Sequence, residues 1–552
     1  MADNFNSAEF KLHETDKGVM INQIGYNPRD YKRAIIKGRA HAVYLVDENG
    51  NYVWNGIPRY YGLDKVSGDE VSTIDFSGFT KKGKYHFVCE AGESLEFEVK
   101  EGLHESAFNA LLKSYYYQRC GCELRREFAG KFIHPACHTK PSRLWEDESV
   151  EKLVVGGWHD AGDYGRYVTA GATAVAHLLY AYKLFDKSFN KVDLNIPEKG
   201  TMGRSFIEEI RYELKWMLQM QREDGAVYHK QTTKEHAFFV MPEHDSGQMY
   251  IFPVSSVATA DFAAVCALAS QVFVRFDNAF AIELEKAAEK AYAWLTKNPK
   301  FTEFKNPEGC TTGEYGENGD QDNRLWAAVE LYNKTGEAGY LADVKYFLLG
   351  EINTVALGYA QVGGLAALGW LCEHHEEYND ITNRFRSDFT ARADALLLKC
   401  NEGGYGVSLR EHDFHWGSNM FMITNACQMA IAAQFNNTYK YDQAIYHHID
   451  YMVGVNPLGI SYVTGVGTNY VKNPHLRTAF ADRVDDVIPG YVVGGPNKEP
   501  VEWQLEGKFK DIPPMKCYID DVRFYSLNEV TIYWNSPMIF LIAYVESKHF
   551  LN

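Results

Sequence analysis

The stretch GGWHDAGDYGRYV, residues 156–168, sets Asp160 and Asp163 three positions apart in a glycine-rich turn directly after His159. Small residues at that density mark a sharply bent backbone, so the two acids are held in one place. Far along the chain, YIDDVRFYSLNEVTIYWNS contributes further acids: Glu529 begins an apolar helical pattern, and Asp520 and Asp521 lie in the loop before it. Two carboxyls facing each other can split a glycosidic bond, one giving a proton to the leaving oxygen while the other draws one from water. The same residues could do less. Asp163 and Glu529 also sit where acids cap helices, and Asp160 could simply bond loop amides.

The whole chain narrows these choices. Its 552 residues are 46% hydrophobic and 14% aromatic, with no run of 18 apolar residues, which implies a large globular protein of more than one domain and no membrane partner. The formal charge of -17, from 73 acidic against 56 basic residues, leaves no electrostatic footprint for nucleic acid. A neutral or cationic ligand is the easier partner. The abundant aromatic side chains suit stacking on sugar faces, although a large core uses them too. MADNFNSAEFKLHETDKG shows no basic segment followed by an apolar run, so the expectation is a cytoplasmic protein, or a secreted one whose signal has been removed. The ten cysteines lie too far apart for a disulfide framework, which agrees with a reducing compartment.

The elements that must position the acids change character near residue 102. Before it, AVYLVDENGNYVW and KYHFVCEAGESLEFEVK alternate with period 2 about turns, which predicts a small β-sandwich over 1–102. From 103 to 552 apolar residues recur at helical spacing, as in Phe206, Ile207, Ile210, Leu214, Met217 and Leu218. About twelve helices are expected, among them 104–119, 168–186, 203–221, 255–276, 281–297, 323–335, 383–399 and 528–547. An all-helical domain with long polar connections follows, and those connections should hold the chemistry.

Five segments in order, GWHDAGDYGRY, VSSVATADFAAVCALASQVF, HWGSNMFMITNA, NPLGISYVTGVGTNYVKNPHLR and YIDDVRFYSLNEVTIYWNS, resemble glycoside hydrolase family 9, the cellulase family built on an (α/α)6 barrel. The resemblance runs along essentially the whole chain and includes the family's frequent N-terminal immunoglobulin-like module, foreshadowed by MINQIGYNP. It implies Asp163 as general base, Asp160 as its partner in holding the water, and Glu529 as general acid. It also implies His475 and Arg477 as sugar contacts, Trp416 of the third segment as a further one, and Asp520 as a supporting carboxylate. Family members invert the anomeric carbon, which requires carboxyls roughly 6.5–9.5 Å apart. Glu529 must then stay protonated, and Tyr525 and Trp534 are the aromatics expected to bury it.

The resemblance extends to metals. Zinc-bearing members use positions that here read Cys120, Cys137, His138 and His159, a closed set of two thiolates and two imidazoles suited to structural zinc, with Cys122 as a possible competitor. The loop GENGDQDNRLWAAVELYNKTG resembles the family's calcium loop, with Asn318, Gly319, Asp322 and Asn323 at the oxygen-ligand positions. Asn323 stands where the family often has an acid, and LGYAQVGG lacks a remote aspartate, both of which weaken a site for a hard cation.

The expected function is an inverting glycoside hydrolase acting on β-1,4-glucan or cello-oligosaccharides. Two alternatives remain at this point: an exo-acting β-glucosidase or β-glucosaminidase working on imported oligosaccharides, and a non-catalytic sugar-binding protein on the same scaffold. The number of subsites and the oligomeric state are not readable from the sequence.

Overall fold

A computed structural model describes residues 11–199, 204–373 and 375–550. The period-2 runs become strands. Val43–Asp47 pairs antiparallel with Tyr52–Gly56 on one side and Gly83–Cys89 on the other, and Gly92–Glu93 and Phe97–Val99 add to the latter. A second sheet runs Val19–Met20, Arg33–Lys37, Asp69–Asp75, Arg59–Asp64. Alternation puts Ala34, Ile36 and Ile74 of one sheet and Val43, Leu45 and Phe87 of the other into one buried cluster. Burying such side chains drives the two faces together, at about 1.5–3 kcal/mol each. This is the expected sandwich.

After it the chain is mainly helical. It divides into two compact units: the residues up to Leu111 with Arg392–Leu476 and Asp485–Val530, and Leu112–Ala391 with Arg477–Val484 and the residues from Thr531 on. The first unit joins the sandwich to the helices Ser418–Phe435 and Asp442–Met452, and Asn22 Nδ2 donates to Asp450 Oδ1 at 2.8 Å within it. The second unit holds Val168–Phe185, Ser205–Gln219, Ser256–Phe273, Asn278–Lys297, Gln321–Thr335 and Ile532–Ser547. Ser256–Phe273 is long and apolar enough to cross a membrane, but 94% of it is buried against the protein.

Several boundaries move for local reasons. The helix expected from 281 starts at Asn278, because the Asp277 carboxylate caps the amide of Phe280 at 3.1 Å. Residue 203, where another helix was expected to begin, lies outside the described residues, as do residues 1–10 of the N-terminal segment. The helix expected over 528–547 starts only at Ile532. Glu529 instead follows a single turn, Tyr525–Asn528, in extended backbone (φ -58°, ψ 148°), where bridges from His475 to Glu529 and from Val493 to Val530 draw it out of the helix.

The second unit is also not purely helical. Five short strands, in the order Glu151–Lys152, Ser142–Leu144, Tyr250–Ile251, Lys230–Thr232, Arg166–Tyr167, form a mixed sheet beside the glycine-rich turn. Strands of two or three residues are too short to show a period, so no pattern in the residues marks them.

Candidate active site and metal centre

The turn before Asp160 needs its glycines. Gly156 and Gly157 have φ of 99° and 78°, and a Cβ on Gly157 would stand 2.7 Å from Cγ of buried Trp216. The backbone can therefore pass close to the helix Ser205–Gln219 only without a side chain there. On either side the turn is tied down. Glu213 Oε2 accepts from the Trp158 amide at 2.6 Å, and Glu209 Oε1 accepts from the Trp158 indole at 2.9 Å while also binding Arg119. The His159 amide donates to Gln118 O at 2.7 Å, and Asp160 N donates to Gly165 O at 2.9 Å.

From that frame the two aspartates enter different surroundings. Asp160 is 1% exposed. Its Oδ2 accepts from Tyr315 Oη at 2.5 Å, and its Oδ1 is buried without a partner among the described residues. Burial pushes its pKa up to about 8, with the Asp163 charge adding to the rise and the Tyr315 hydrogen bond opposing it. Asp163 Oδ2 lies 3.2 Å from His236 Nδ1 and accepts from the Gly165 amide at 3.0 Å. Burial would raise Asp163 as well, but His236, Arg477 and that amide outweigh it and hold the carboxyl well below the usual range. Two acids three residues apart thus take opposite protonation states near neutrality.

Arg477 reaches this turn through the backbone. Its Nε donates to Ala237 O at 2.7 Å and its Nη1 to Gly162 O at 3.0 Å.

In the other unit, Trp416 Nε1 donates to Glu529 Oε2 at 2.9 Å, and the rings of Trp416 and Tyr525 meet edge to face at 5.1 Å. Trp416, 40% exposed, is thus the hydrogen-bonding aromatic on Glu529, a partner that sequence reasoning had not assigned to it. His475 Nδ1 lies 2.6 Å from Val522 O, so that nitrogen carries the proton and the tautomer is fixed. Asp520 accepts the amides of Lys472 and Asn473 at 2.9 and 2.8 Å, which anchors the segment leading to His475.

Cys120, Cys137, His138 and His159 come together with their ligand atoms all within 4.8 Å of one another. Cys122 is outside this set. Cys120 Sγ is 3.7 Å from His138 Nδ1, and Cys137 Sγ is 3.9 Å from His159 Nε2. Such a set could hold one metal ion. The expected calcium residues separate: Asn318, Gly319 and Asp322 line a cavity of about 650 Å3 together with Glu317 and Asp320. Asn323 does not line it. Its amide turns into the core and donates to Asp261 Oδ1 at 2.9 Å.

His236 and Tyr315 were not anticipated from the sequence. Tyr315 lies in TTGEYGENG, whose glycines signal a turn, and its own φ of 51° is unusual for a non-glycine residue. His236, in KEHAFF, has no such signal.

Residues 14–94 match the cellulase N-terminal ig-like domain, and residues 104–542 match glycosyl hydrolase family 9. A cellodextrinase from Butyrivibrio fibrisolvens is 40% identical, the match covering 96% of this chain and 99% of that protein. The crystal structure of a thermostable endoglucanase from Alicyclobacillus acidocaldarius superposes with a TM-score of 0.90 at 32% identity, covering 96% of this chain and 99% of the other. A zinc-binding triple mutant of a family 9 endoglucanase superposes at 0.87 with 29% identity, covering 94% and 99%. With the family match running through most of its length, the chain belongs to glycosyl hydrolase family 9 and is a glycoside hydrolase with an N-terminal immunoglobulin-like domain.

Proposed function

We propose that this enzyme hydrolyses β-1,4-glucosidic bonds in cello-oligosaccharides with inversion, using Asp163 as general base and Glu529 as general acid. The observation that carries the reading is the split between the neighbouring aspartates. Asp163, held ionised by His236 and Arg477, can take a proton from water directly. Asp160 keeps a buried oxygen without a partner among the described residues, a place for that water to bond. Glu529 receives a neutral donor from Trp416, a partner compatible with a carboxyl that carries the proton for the leaving group. His475 and Arg477 complete the proposal as sugar contacts, with Asp520 positioning the former.

The test is the anomeric form of fresh product. NMR before mutarotation should show the α configuration, and β product would mean retention. Asp163→Asn and Glu529→Gln should each lower kcat by several orders of magnitude with the fold intact. Near-normal turnover in both would remove the assignment.

For chain length we propose short soluble chains, a reading supported by similarity to a protein named a cellodextrinase. Single sugars should be released from short oligomers faster than the viscosity of a soluble β-glucan falls. Rapid viscosity loss with few new ends would indicate an endo-acting enzyme. Ten cysteines outside any disulfide suit work on imported oligosaccharides in the cytoplasm.

For the metal we propose structural zinc on Cys120, Cys137, His138 and His159. Tetrahedral bonds of about 2.3 Å to sulfur and 2.0–2.1 Å to nitrogen give ligand edges of about 3.6 Å, close to the two S to N separations of 3.7 and 3.9 Å. Zinc there would cross-link the turn that holds Asp160 and Asp163 to the loop of Cys137 and His138. For calcium the proposal narrows to the cavity lined by Asn318, Gly319 and Asp322. Its neighbour Glu317 is pushed up to about 10 by burial and by the acids Asp261 and Asp322, a repulsion that a divalent cation would relieve. A calcium-dependent rise in Tm that Asp322→Ala abolishes would support it, and no binding heat on titration with calcium would dispose of it.

A further inference from the structure

Residues 233–249 leave the mixed sheet after Lys230–Thr232 and rejoin it at Tyr250–Ile251, where Thr232 faces Tyr250. Apart from one 3-10 turn at Pro242–His244, the segment has no regular structure of its own. Its position therefore rests on contacts made by its side chains and carbonyls. Two groups of those contacts bear on the glycine-rich turn and on the four-residue cluster. Near its start, His236 lies on Asp163, Ala237 O accepts from Arg477, and Val240 O accepts from Tyr164 Oη at 2.5 Å. Near its end, Asp245 Oδ2 lies 3.2 Å from His138 Nε2.

The second contact is built rather than incidental. The side chains of His138 and Asp245 are 2% and 7% exposed, and the other oxygen of Asp245 accepts the Gly247 amide at 3.0 Å. His138 turns Nδ1 toward Cys120 and Nε2 toward Asp245, so the ring is gripped from both sides. Its backbone has φ of 47°, a conformation that non-glycine residues keep only where their surroundings insist on it. A buried carboxylate can only accept from Nε2–H, and that leaves the Nδ1 lone pair for a metal.

We infer that Asp245 is a positioning residue of the metal centre. Its carboxylate holds His138 in the Nδ1-ligating tautomer. Through the same hydrogen bond it fastens the far end of segment 233–249, whose near end sets His236 on Asp163. The metal centre then reaches the proposed base by two routes, the adjacency of His159 and Asp160 and this segment. The inference rests on the zinc proposal above.

The test uses the full chain purified with zinc. Asp245→Leu keeps the shape and removes the acceptor, whereas Asp245→Asn keeps an amide oxygen that can accept the same N–H. Zinc release to a chromophoric chelator should be on the order of 10–100-fold faster in Asp245→Leu than in wild type. Asp245→Asn should fall between them. The ligand-field spectrum of the cobalt-substituted protein should change in Asp245→Leu and be largely restored in Asp245→Asn, a pattern that mere loss of stability would not produce. Asp245→Ala serves as the acceptor-free variant should Asp245→Leu fail to fold. Unchanged release and an unchanged cobalt spectrum in the acceptor-free variant, with zinc present in wild type, would overturn the role of Asp245 alone. A wild type that retains no zinc would overturn the metal proposal and this one with it.

Discussion

His236 Nδ1 lies 3.2 Å from Asp163 Oδ2, and this contact is the largest of those that keep the buried carboxyl ionised. It joins residues more than seventy positions apart, one in a glycine-rich turn and one in a segment without regular structure. Removing the imidazole should let burial reassert itself, so the Asp163 pKa should rise. Because the proposed base works only when ionised, His236→Ala should move the acid limb of the kcat/KM profile upward, on the order of one pH unit. A pH series on a cello-oligosaccharide, carried as far below pH 3 as the fold survives, reads this directly. An acid limb that stays in place would show that Arg477 and the Gly165 amide suffice.

Asp160 makes the opposite prediction for stability. Its folded pKa of about 8 stands far above the value of about 3.9 for an unfolded aspartate. A group raised in this way contributes stability that is fully present below the unfolded pKa and is lost as pH rises to the folded one. Asp160→Asn cannot ionise and escapes that loss. Its Tm relative to wild type should therefore climb between pH 4 and pH 8 and level off above, as calorimetry in matched buffers would show. A constant difference across that range would mean that Asp160 is ionised in the folded protein at neutral pH.

Gly157→Ala should be among the costliest small substitutions in the turn. The positive φ adds about 1–2 kcal/mol of strain, and a Cβ at 2.7 Å from Trp216 adds about 1–3 kcal/mol of overpacking. Gly336→Ala is the control, since its backbone is left-handed with φ of 71° but nothing lies within 4 Å of a Cβ there. Urea unfolding should show the loss at Gly157 exceeding that at Gly336. Equal losses would mean that Trp216 moves aside freely.

The metal prediction tests Cys137, a buried residue within the four-ligand cluster. Cys137→Ser should lose zinc, lower the Tm, and reduce kcat more than it raises KM, because a loosened turn misplaces the reacting groups. Errors of about 1 Å can cost on the order of 100-fold in rate. Elemental analysis beside kinetics checks both halves. A zinc-free variant with unchanged kcat would show that the centre does not act on the catalytic turn.

The sequence by itself determined the local matters. Period-2 alternation in VYLVD and GKYHFVC predicted strands because each strand buries one face. Helical spacing located Val168–Phe185 and Ser256–Phe273 to within a few residues. Ordered motifs singled out Asp160, Asp163 and Glu529, and picked four residues that could hold a metal, which the fold does gather. Only the tertiary structure decided what surrounds them. Tyr315 on Asp160, His236 on Asp163, Trp416 on Glu529 and Asp245 on His138 all come from distant positions in the chain. Nothing local marks such partners, because burial and charge depend on which segments the fold brings alongside. For the same reason two aspartates in one short motif, alike in sequence, differ in protonation: the charge on a buried carboxyl is set by its neighbours in space.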